Sequence, residues 1–520
     1  MQQVCDNLIL MLAKIASGAT VGLNATLIEV EVDIPDEGLP SFTIVGLPDK
    51  AVEEAKERVR SAIKNTGADF PSTRITVNLA PADLPKVGPS YDLPIALGIL
   101  IASGQIKPEV SDSLFFGELS LDGSLRHTNG ILPMTYLARE KGFQKVIVPK
   151  LNEKEAAVVP GVKVYPIENL LELVRFFMGT IEITPSKKIS FRTLLTQSEA
   201  EFDFSEVIGQ EHAKRALEIA ASGNHNIFLK GTPGSGKTML ARALPGILPR
   251  LTEDEALEVT KIYSITGNLL SGQAVVTTRP FRSPHHTTSR IGLIGGGSNP
   301  SPGEISLAHR GVLFLDEFPE FPRHVLESLR QPIEDGVVSI SRAKGSVTYP
   351  ASFLLVSASN PCPCGYFGDA KRACKCFPGQ IQRYQKRVSG PIMDRIDLHV
   401  DVPSVETQKL VEEKKGKVET SHEVQKRVQK ARDLQTKRFK KTKLKSNSEM
   451  STRDVKSFCP LSPECRTMLL SAASSMNLTA RSYFKVIKVA RTVADLDASK
   501  EISVNHIAEA LQYRPQEDDY

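Results

Sequence analysis

A chain of 520 residues is too long for one hydrophobic core, so about two to four domains are expected. Its 41% hydrophobic and 24% charged residues are the composition of an ordinary soluble globular protein. The net charge of +5 is too small at this length to argue for nucleic acid from the whole chain, so any such case has to be local.

Residues 8–16 are the first apolar stretch, interrupted by Lys14 and preceded by Asp6. The stretch is too short to span a membrane and lacks a cleavage-like site, so no membrane partner is expected. Met11 offers an alternative start, which would make residues 1–10 an over-long leader. Seven cysteines without a signal peptide point to the reducing cytoplasm, where clustered thiols suggest metal rather than disulfides.

From 11 to 178, β-rich runs (26–32, 42–45, 74–79, 145–148) alternate with helical ones (50–65, 93–102), a mixed α/β pattern. Residues 179–205 are polar, contain Pro185 and show no period, as a linker would. Residues 206–402 read as strand–loop–helix units, and 403–520 as helical, with Lys/Arg-heavy segments before an apolar-periodic tail.

Within 226–238 an apolar run breaks into Gly231-x-x-x-x-Gly236-Lys237-Thr238, a P-loop between a predicted strand and a predicted helix. Gly231, Gly234 and Gly236 let the backbone curl so that successive N–H groups face phosphate oxygens. Lys237 reaches the outer phosphates, and the Thr238 hydroxyl can ligate Mg²⁺. The expected nucleotide-binding set is Gly231, Thr232, Pro233, Gly234, Ser235, Gly236, Lys237, Thr238 and Met239, with Asp316 joining Thr238 at the Mg²⁺.

Asp316 follows the apolar run 312–315, which would carry it to the carboxyl end of a buried strand. Glu317, one residue further, is placed to polarise the attacking water. A third apolar run, 352–359, ends in Asn360, which can orient that water at the same sheet edge.

With these motifs, Ser389-Gly-Pro-Ile-Met-Asp-Arg395-Ile-Asp-Leu and Leu478-Thr-Ala-Arg481, the chain resembles the AAA+ ATPases, and among them the magnesium-chelatase-like family. It is closer still to the ComM/YifB family, through Gly46-Leu-Pro-Asp, Asn78-Leu-Ala-Pro-Ala-Asp-Leu-Pro-Lys, Arg282-Ser-Pro-His-His and Asn360-Pro-Cys-Pro-Cys-Gly. The resemblance implies an α/β chain in three parts. These are an N-terminal Lon-protease-like α+β domain, a central AAA+ P-loop domain on a parallel sheet, and a C-terminal helical lid. It also implies homo-hexameric rings with ATP between subunits. Arg395 would be the finger reaching into a neighbour's site, and Arg481 a second sensor on the lid. A salt bridge to Asp394 or Asp397 is the alternative for Arg395, and Arg387 competes for the contact in trans.

Residues 85–90 and 117–130 resemble the proteolytic domain of Lon, with Ser90 at the nucleophile position. Where that motif requires a lysine base, this chain has Met134. Methionine accepts no proton, and Lys86, His127 and Lys141 fall elsewhere in the pattern, so the domain is expected to be non-proteolytic.

Rings of this clade carry pore-directed hairpins. Residues 336–349 alternate as two strands about a short turn, with Arg342 and Lys344 near the tip as candidate phosphate contacts; a surface hairpin with solvated charges is the alternative. Residues 277–302 are a second candidate insertion, whose adjacent His285 and His286 should diverge on an extended chain. Between 426 and 445 lie ten Lys/Arg and one acid, Asp433, equally a nucleic-acid track or a solvated helix face. Cys362, Cys364, Cys374 and Cys376 can close a tetrahedral Zn²⁺ shell, although Cys-x-Cys is tighter than the usual knuckle; free thiols or a redox-sensitive loop are the alternatives.

Three functions follow as expectations: a hexameric DNA helicase promoting branch migration in transformation or recombination, a chelatase-like ATPase acting on a protein partner, or an ATP-dependent protease. Met134 weakens the last.

Overall fold

A computed structural model describes residues 12–190, 194, 201–270, 272–297, 300–342, 345–369, 371–404 and 419–515. The chain forms two compact units, one of residues 1–195 with 253–276, the other of 196–252 with 277–520.

In the first unit, Leu12–Val21 and Asn24–Asp33 alternate buried and solvent-facing residues and pair as an antiparallel hairpin. The pairing extends the first strand through residues 17–21, beyond the apolar run 8–16. Arg74–Ala80 joins antiparallel and Ser41–Val45 parallel, giving a four-stranded sheet. The helix Asp92–Ala102 is apolar almost all round because it is buried almost all round. A parallel sheet of Ser113–Phe115, Lys145–Pro149 and Lys163–Ile167 forms a second layer.

The helix Glu253–Ile265 also belongs to this unit, although its sequence lies inside the span expected for the ATPase. Its anchor is polar. Buried Glu155 accepts from Ser264 Oγ at 2.6 Å, Asn152 Nδ2 at 2.9 Å and the backbone N–H of Leu132 at 2.9 Å. Burial nonetheless pushes the Glu155 carboxyl above its usual range.

Ser90 lies in the short turn Pro89–Tyr91 and is buried. Met134 sits on the helix Ile131–Lys141, packed with Leu114, Phe116 and Ile131. The buried Lys86 ammonium donates to the Pro81 carbonyl.

The second unit is built on a five-stranded parallel sheet in the order Phe281–Arg282, Val312–Leu315, Leu354–Ser359, Ile227–Gly231, Leu398–Val402. Val312–Leu315 and Leu354–Ser359 are buried at every residue, as continuous apolar runs in a parallel sheet should be. The helices Ser421–Arg438, Pro463–Ser475, Ala480–Leu496 and Val504–Gln512 share one apolar core with this sheet, so the expected lid region forms part of the same compact unit. Cys459 and Cys465 are buried in that core.

Candidate nucleotide-binding site

Three neighbouring strands end their chemistry at one edge. Ile227–Gly231 runs into the loop 231–236 and then into the helix Lys237–Ala243. Gly234 and Gly236 adopt φ of +76° and +91°, a region side chains rarely enter. Gly231 is needed for a different reason, since a Cβ there would fall 2.2 Å from the Val402 carbonyl oxygen.

Lys237 lies along the inside of the loop, only 8% exposed, with Nζ 2.7 Å from the Gly231 carbonyl and 2.9 Å from that of Thr232. The same ammonium is 3.3 Å from Asn360 Oδ1 at the end of the adjacent strand. Burial holds its pKa below the usual lysine value, partly offset by Asp316. The Thr238 hydroxyl donates to Asp316 Oδ2 at 2.8 Å, so the two expected Mg²⁺ ligands are already side by side. Thr232 and Ser235 hydroxyls are buried in the loop without a protein partner among the described residues, as suits a lining that faces a polar ligand.

Glu317 turns away from the strand in the left-handed region, at φ +49°, and its backbone N–H donates to Asp316 Oδ1 at 2.9 Å. Its carboxylate meets His286 Nδ1 at 3.0 Å. Sequence reading missed this partner. It also expected His285 and His286 to diverge, whereas their ring centroids are 4.0 Å apart. The chain is not extended here: Thr288 N–H bonds the His285 carbonyl at 2.9 Å, turning the backbone just past Pro284. Only the contact across to residue 317 marks His286 as a site residue, and no sequence spacing encodes it.

Arg395 and Arg481 converge on one carboxylate. Arg395 meets Glu334 Oε2 at 2.9 Å and Arg481 bonds Glu334 Oε1, with Asp394 Oδ2 3.8 Å from the Arg481 Nε. Asp394 and Asp397 are the partners the sequence offers for Arg395, and Arg395 meets Glu334 instead. Asp397 is instead buried with Lys485 Nζ at 2.9 Å and His225 Nδ1 at 3.2 Å, which hold its carboxyl far below the usual range. Arg387 pairs with Glu320 at 2.6 Å.

The sulfurs of Cys362 and Cys364 are 3.4 Å apart, and Cys374 Sγ lies 3.7 and 3.6 Å from them. All four sulfurs, with Cys376, fall within 4.8 Å of one another. A tetrahedral zinc shell with Zn–S of about 2.3 Å requires sulfur separations of about 3.8 Å. A disulfide would need about 2.05 Å. Backbone N–H groups of Tyr366 and then Lys375 hold the Cys364 thiol below its usual range, while burial and the neighbouring sulfurs push Cys376 up. The four thiols therefore fit a divalent cation that would offset their mutual repulsion on ionisation.

The hairpin Val337–Arg342 with Gly345–Pro350 is in register from Val337↔Pro350 to Arg342↔Gly345. Lys344 lies outside the described residues, and Arg342 is placed only by its strand position. The two expected insertions pack together: Tyr349 donates to the Pro300 carbonyl at 2.7 Å, and a Cβ at Gly295 would meet Ile340 Cδ1 at 2.9 Å. On the basic helix Ser421–Arg438 the cations divide by type. Arg427 pairs with Glu218 at 2.6 Å, Arg432 donates to the Ala221 carbonyl at 3.1 Å, and Arg438 pairs with buried Asp495. Lys426, Lys430, Lys437, Lys440, Lys441, Lys443 and Lys445 are exposed.

A glycine-rich loop leading into a helix, an acidic pair on the next strand but one and a polar residue on the strand between define the AAA+ class of P-loop ATPases. Family comparison agrees. The model described as magnesium chelatase, subunit ChlI matches residues 203–410, that of subunit ChlI of Mg-chelatase matches 30–152, and that of its C-terminal part matches 418–514. The competence protein ComM of Haemophilus influenzae is 43% identical over 505 residues, 97% of both chains. Escherichia coli YifB is likewise 43% identical over 505 residues, with the same coverage. The magnesium-chelatase 38 kDa subunit of Rhodobacter capsulatus is 29% identical over 179 residues, 31% of this chain and 50% of its own. The chain belongs to the ComM/YifB family of magnesium-chelatase-like AAA+ ATPases.

Proposed function

We infer that the protein is an ATP-hydrolysing motor that works on DNA as a homo-hexameric ring in the cytoplasm. The observation that carries the reading is the convergence of Lys237, Thr238, Asp316, Glu317 and Asn360 at the ends of three adjacent strands. Lys237 and the loop N–H groups hold the phosphates of ATP, and Thr238 and Asp316 hold Mg²⁺. Glu317 polarises the attacking water and Asn360 orients it, so the charge developing on the γ-phosphoryl group meets fixed donors. Arg395 and Arg481 answer to one carboxylate, so a phosphate presented by a neighbouring subunit competes with Glu334 for both guanidinium groups.

DNA is the proposed track. The row of exposed lysines after residue 425 supplies a cation-rich, sequence-tolerant surface. The Haemophilus relative is named a competence protein, which supports a part for this chain in branch migration of incoming DNA during transformation or recombination. The first unit serves as a non-proteolytic module, since the position of the expected base is the buried Met134. Zn²⁺ held by Cys362, Cys364, Cys374 and Cys376 would be structural, because four protein ligands leave no open position.

The likeness to a magnesium-chelatase subunit favours a second reading, in which hydrolysis remodels a protein partner. ATPase and strand-displacement assays on forked and four-way DNA, with Lys237→Ala as control, separate the two. The motor reading expects DNA-stimulated hydrolysis and strand separation by the wild type alone. Stimulation by a protein partner without DNA binding at low salt would overturn it.

A further inference from the structure

The four-cysteine loop lies against the nucleotide-binding loop. It begins two residues after Asn360, whose side-chain oxygen is 3.3 Å from Lys237 Nζ, and Cys362 is fully buried. The turn that follows, closed by the Gly365 N–H on the Cys362 carbonyl at 2.9 Å, brings Gly365 onto the P-loop itself. A Cβ at Gly365 would fall 2.5 Å from Pro233 Cγ and 2.6 Å from Pro233 Cδ, and the residue has φ +87°. Backbone thus meets the proline ring at a distance only glycine permits. The cysteine turn is therefore a wall of the phosphate loop on one side and the continuation of the Asn360 strand on the other.

A turn of this kind has little apolar packing to define it. Exposed Phe367 and Phe377 flank the cluster rather than filling a core beneath it. Its shape is set by what binds the sulfurs. Three of the thiols, Cys362, Cys364 and Cys374, are 3.4–3.7 Å apart and Cys376 lies within 4.8 Å of them, so a cation bonded to all four would tie both ends of the turn together.

We propose that the Cys362/Cys364/Cys374/Cys376 cluster is a zinc-held buttress of the nucleotide site, so that metal binding and ATP binding are thermodynamically coupled. Zinc fixes the turn, the turn fixes Pro233 and Asn360, and a fixed loop binds phosphates without the cost of ordering it. Linkage makes the effect reciprocal: saturating nucleotide raises zinc affinity by the factor by which zinc raises nucleotide affinity. The proposal rests on the reading of this site as an ATP site, and the residues involved touch no reacting atom, so their role is positioning.

The test uses the full-length protein. Zinc content is measured by elemental analysis, and the Kd of a non-hydrolysable ATP analogue with Mg²⁺ by calorimetry. These are read before and after zinc removal by a chelator selective for zinc over Mg²⁺, and again after Zn²⁺ is restored. One zinc per chain is expected, with a loss of nucleotide affinity of about tenfold on removal, reversed by zinc alone. Chelator competition in the presence of saturating analogue should show zinc held tighter by the same factor. Cys364→Ser and Cys374→Ser should lose both zinc and the tenfold. Gly365→Ala keeps all four thiols; it should retain zinc and still bind nucleotide more weakly.

Absence of zinc in the purified protein, with none taken up from Zn²⁺ solution, overturns the proposal. So does zinc binding whose removal changes nucleotide Kd less than about twofold. If Gly365→Ala binds nucleotide as the wild type does, the Pro233 contact is not the link. Failure of the zinc-loaded wild type to bind nucleotide at all would strike the ATP reading instead. Circular dichroism of every variant separates these outcomes from loss of fold.

Discussion

Lys485→Met tests the energetics of the second unit most directly. Lys485 Nζ lies 2.9 Å from Asp397 Oδ1, both side chains are 10% exposed, and His225, fully buried, meets the other Asp397 oxygen at 3.2 Å. Removing one partner of such a pair strands a buried charge and costs about 3–5 kcal/mol. For a cooperative unit of this size about 1 kcal/mol corresponds to roughly 2 °C, so the transition of the second unit should fall by about 6–10 °C. Differential scanning calorimetry without nucleotide is the assay, with the transition of the first unit as internal reference. Lys485→Met combined with Asp397→Leu should recover at least half of the loss, because replacing both charges leaves neither unpaired. A shift below about 2 °C in the single variant, or a double variant no more stable than the single, would refute the reasoning. Lys485 is one helical turn after Arg481, and Asp397 two residues after Arg395, so the loss of this buried contact is expected to loosen both arginines at Glu334 as well.

Further expectations bear on the site and the first unit. Thr238→Val removes the hydroxyl that meets Asp316, and phosphate release at saturating Mg²⁺ should slow at least about tenfold; an unchanged rate would remove Thr238 from the metal site. His286→Ala frees Glu317 from a partner at 3.0 Å, and kcat without DNA should rise roughly two- to fivefold with KM unchanged; a fall would show that His286 supports Glu317 rather than restrains it. Lys430→Gln, Lys437→Gln and Lys440→Gln together should flatten the dependence of log Kd for DNA on log salt by about 2.7, whereas Arg427→Gln should lower the melting temperature and leave that slope alone. In the first unit, burial pushes the Asp92 carboxyl up to about 6 despite Arg58 at 2.6 Å. The folded form thus binds this proton more tightly than the unfolded chain. Stability from the group is full below pH about 4 and lost as pH rises to about 6, a change of about 3 kcal/mol that Asp92→Asn should erase from the difference between urea-unfolding curves.

The candidate nucleotide site is legible in the sequence because its parts are local. A Gly-rich loop, a lysine and a threonine sit within eight residues, and Asp316 and Asn360 each end an apolar run that can only be a buried strand. The first unit was legible as α/β but not in extent: residues 253–276 join it through contacts such as Glu155 with Ser264, 109 positions apart. Charge density is legible in the sequence, but the division of the cations between packing and solvent is not. Ten cations after residue 425 look alike in sequence, yet the arginines turn inward to Glu218, Ala221 and Asp495 while the lysines stay in water. A planar guanidinium keeps several hydrogen bonds when partly buried, and an ammonium loses more hydration.

By itself, then, the sequence determined that this chain carries a P-loop, an acidic pair, a third polar strand end and four clustered thiols, and that it belongs beside the magnesium-chelatase-like ATPases. These are properties of residue type at short spacing. Only the tertiary structure decided that His286 faces Glu317, that Arg395 and Arg481 share Glu334, and that the cysteine turn abuts Pro233. Each of those joins residues 31 to 147 positions apart, through the order of strands in one parallel sheet and the helices packed on it. Contacts of that kind are fixed by packing, and no local pattern of residues carries them.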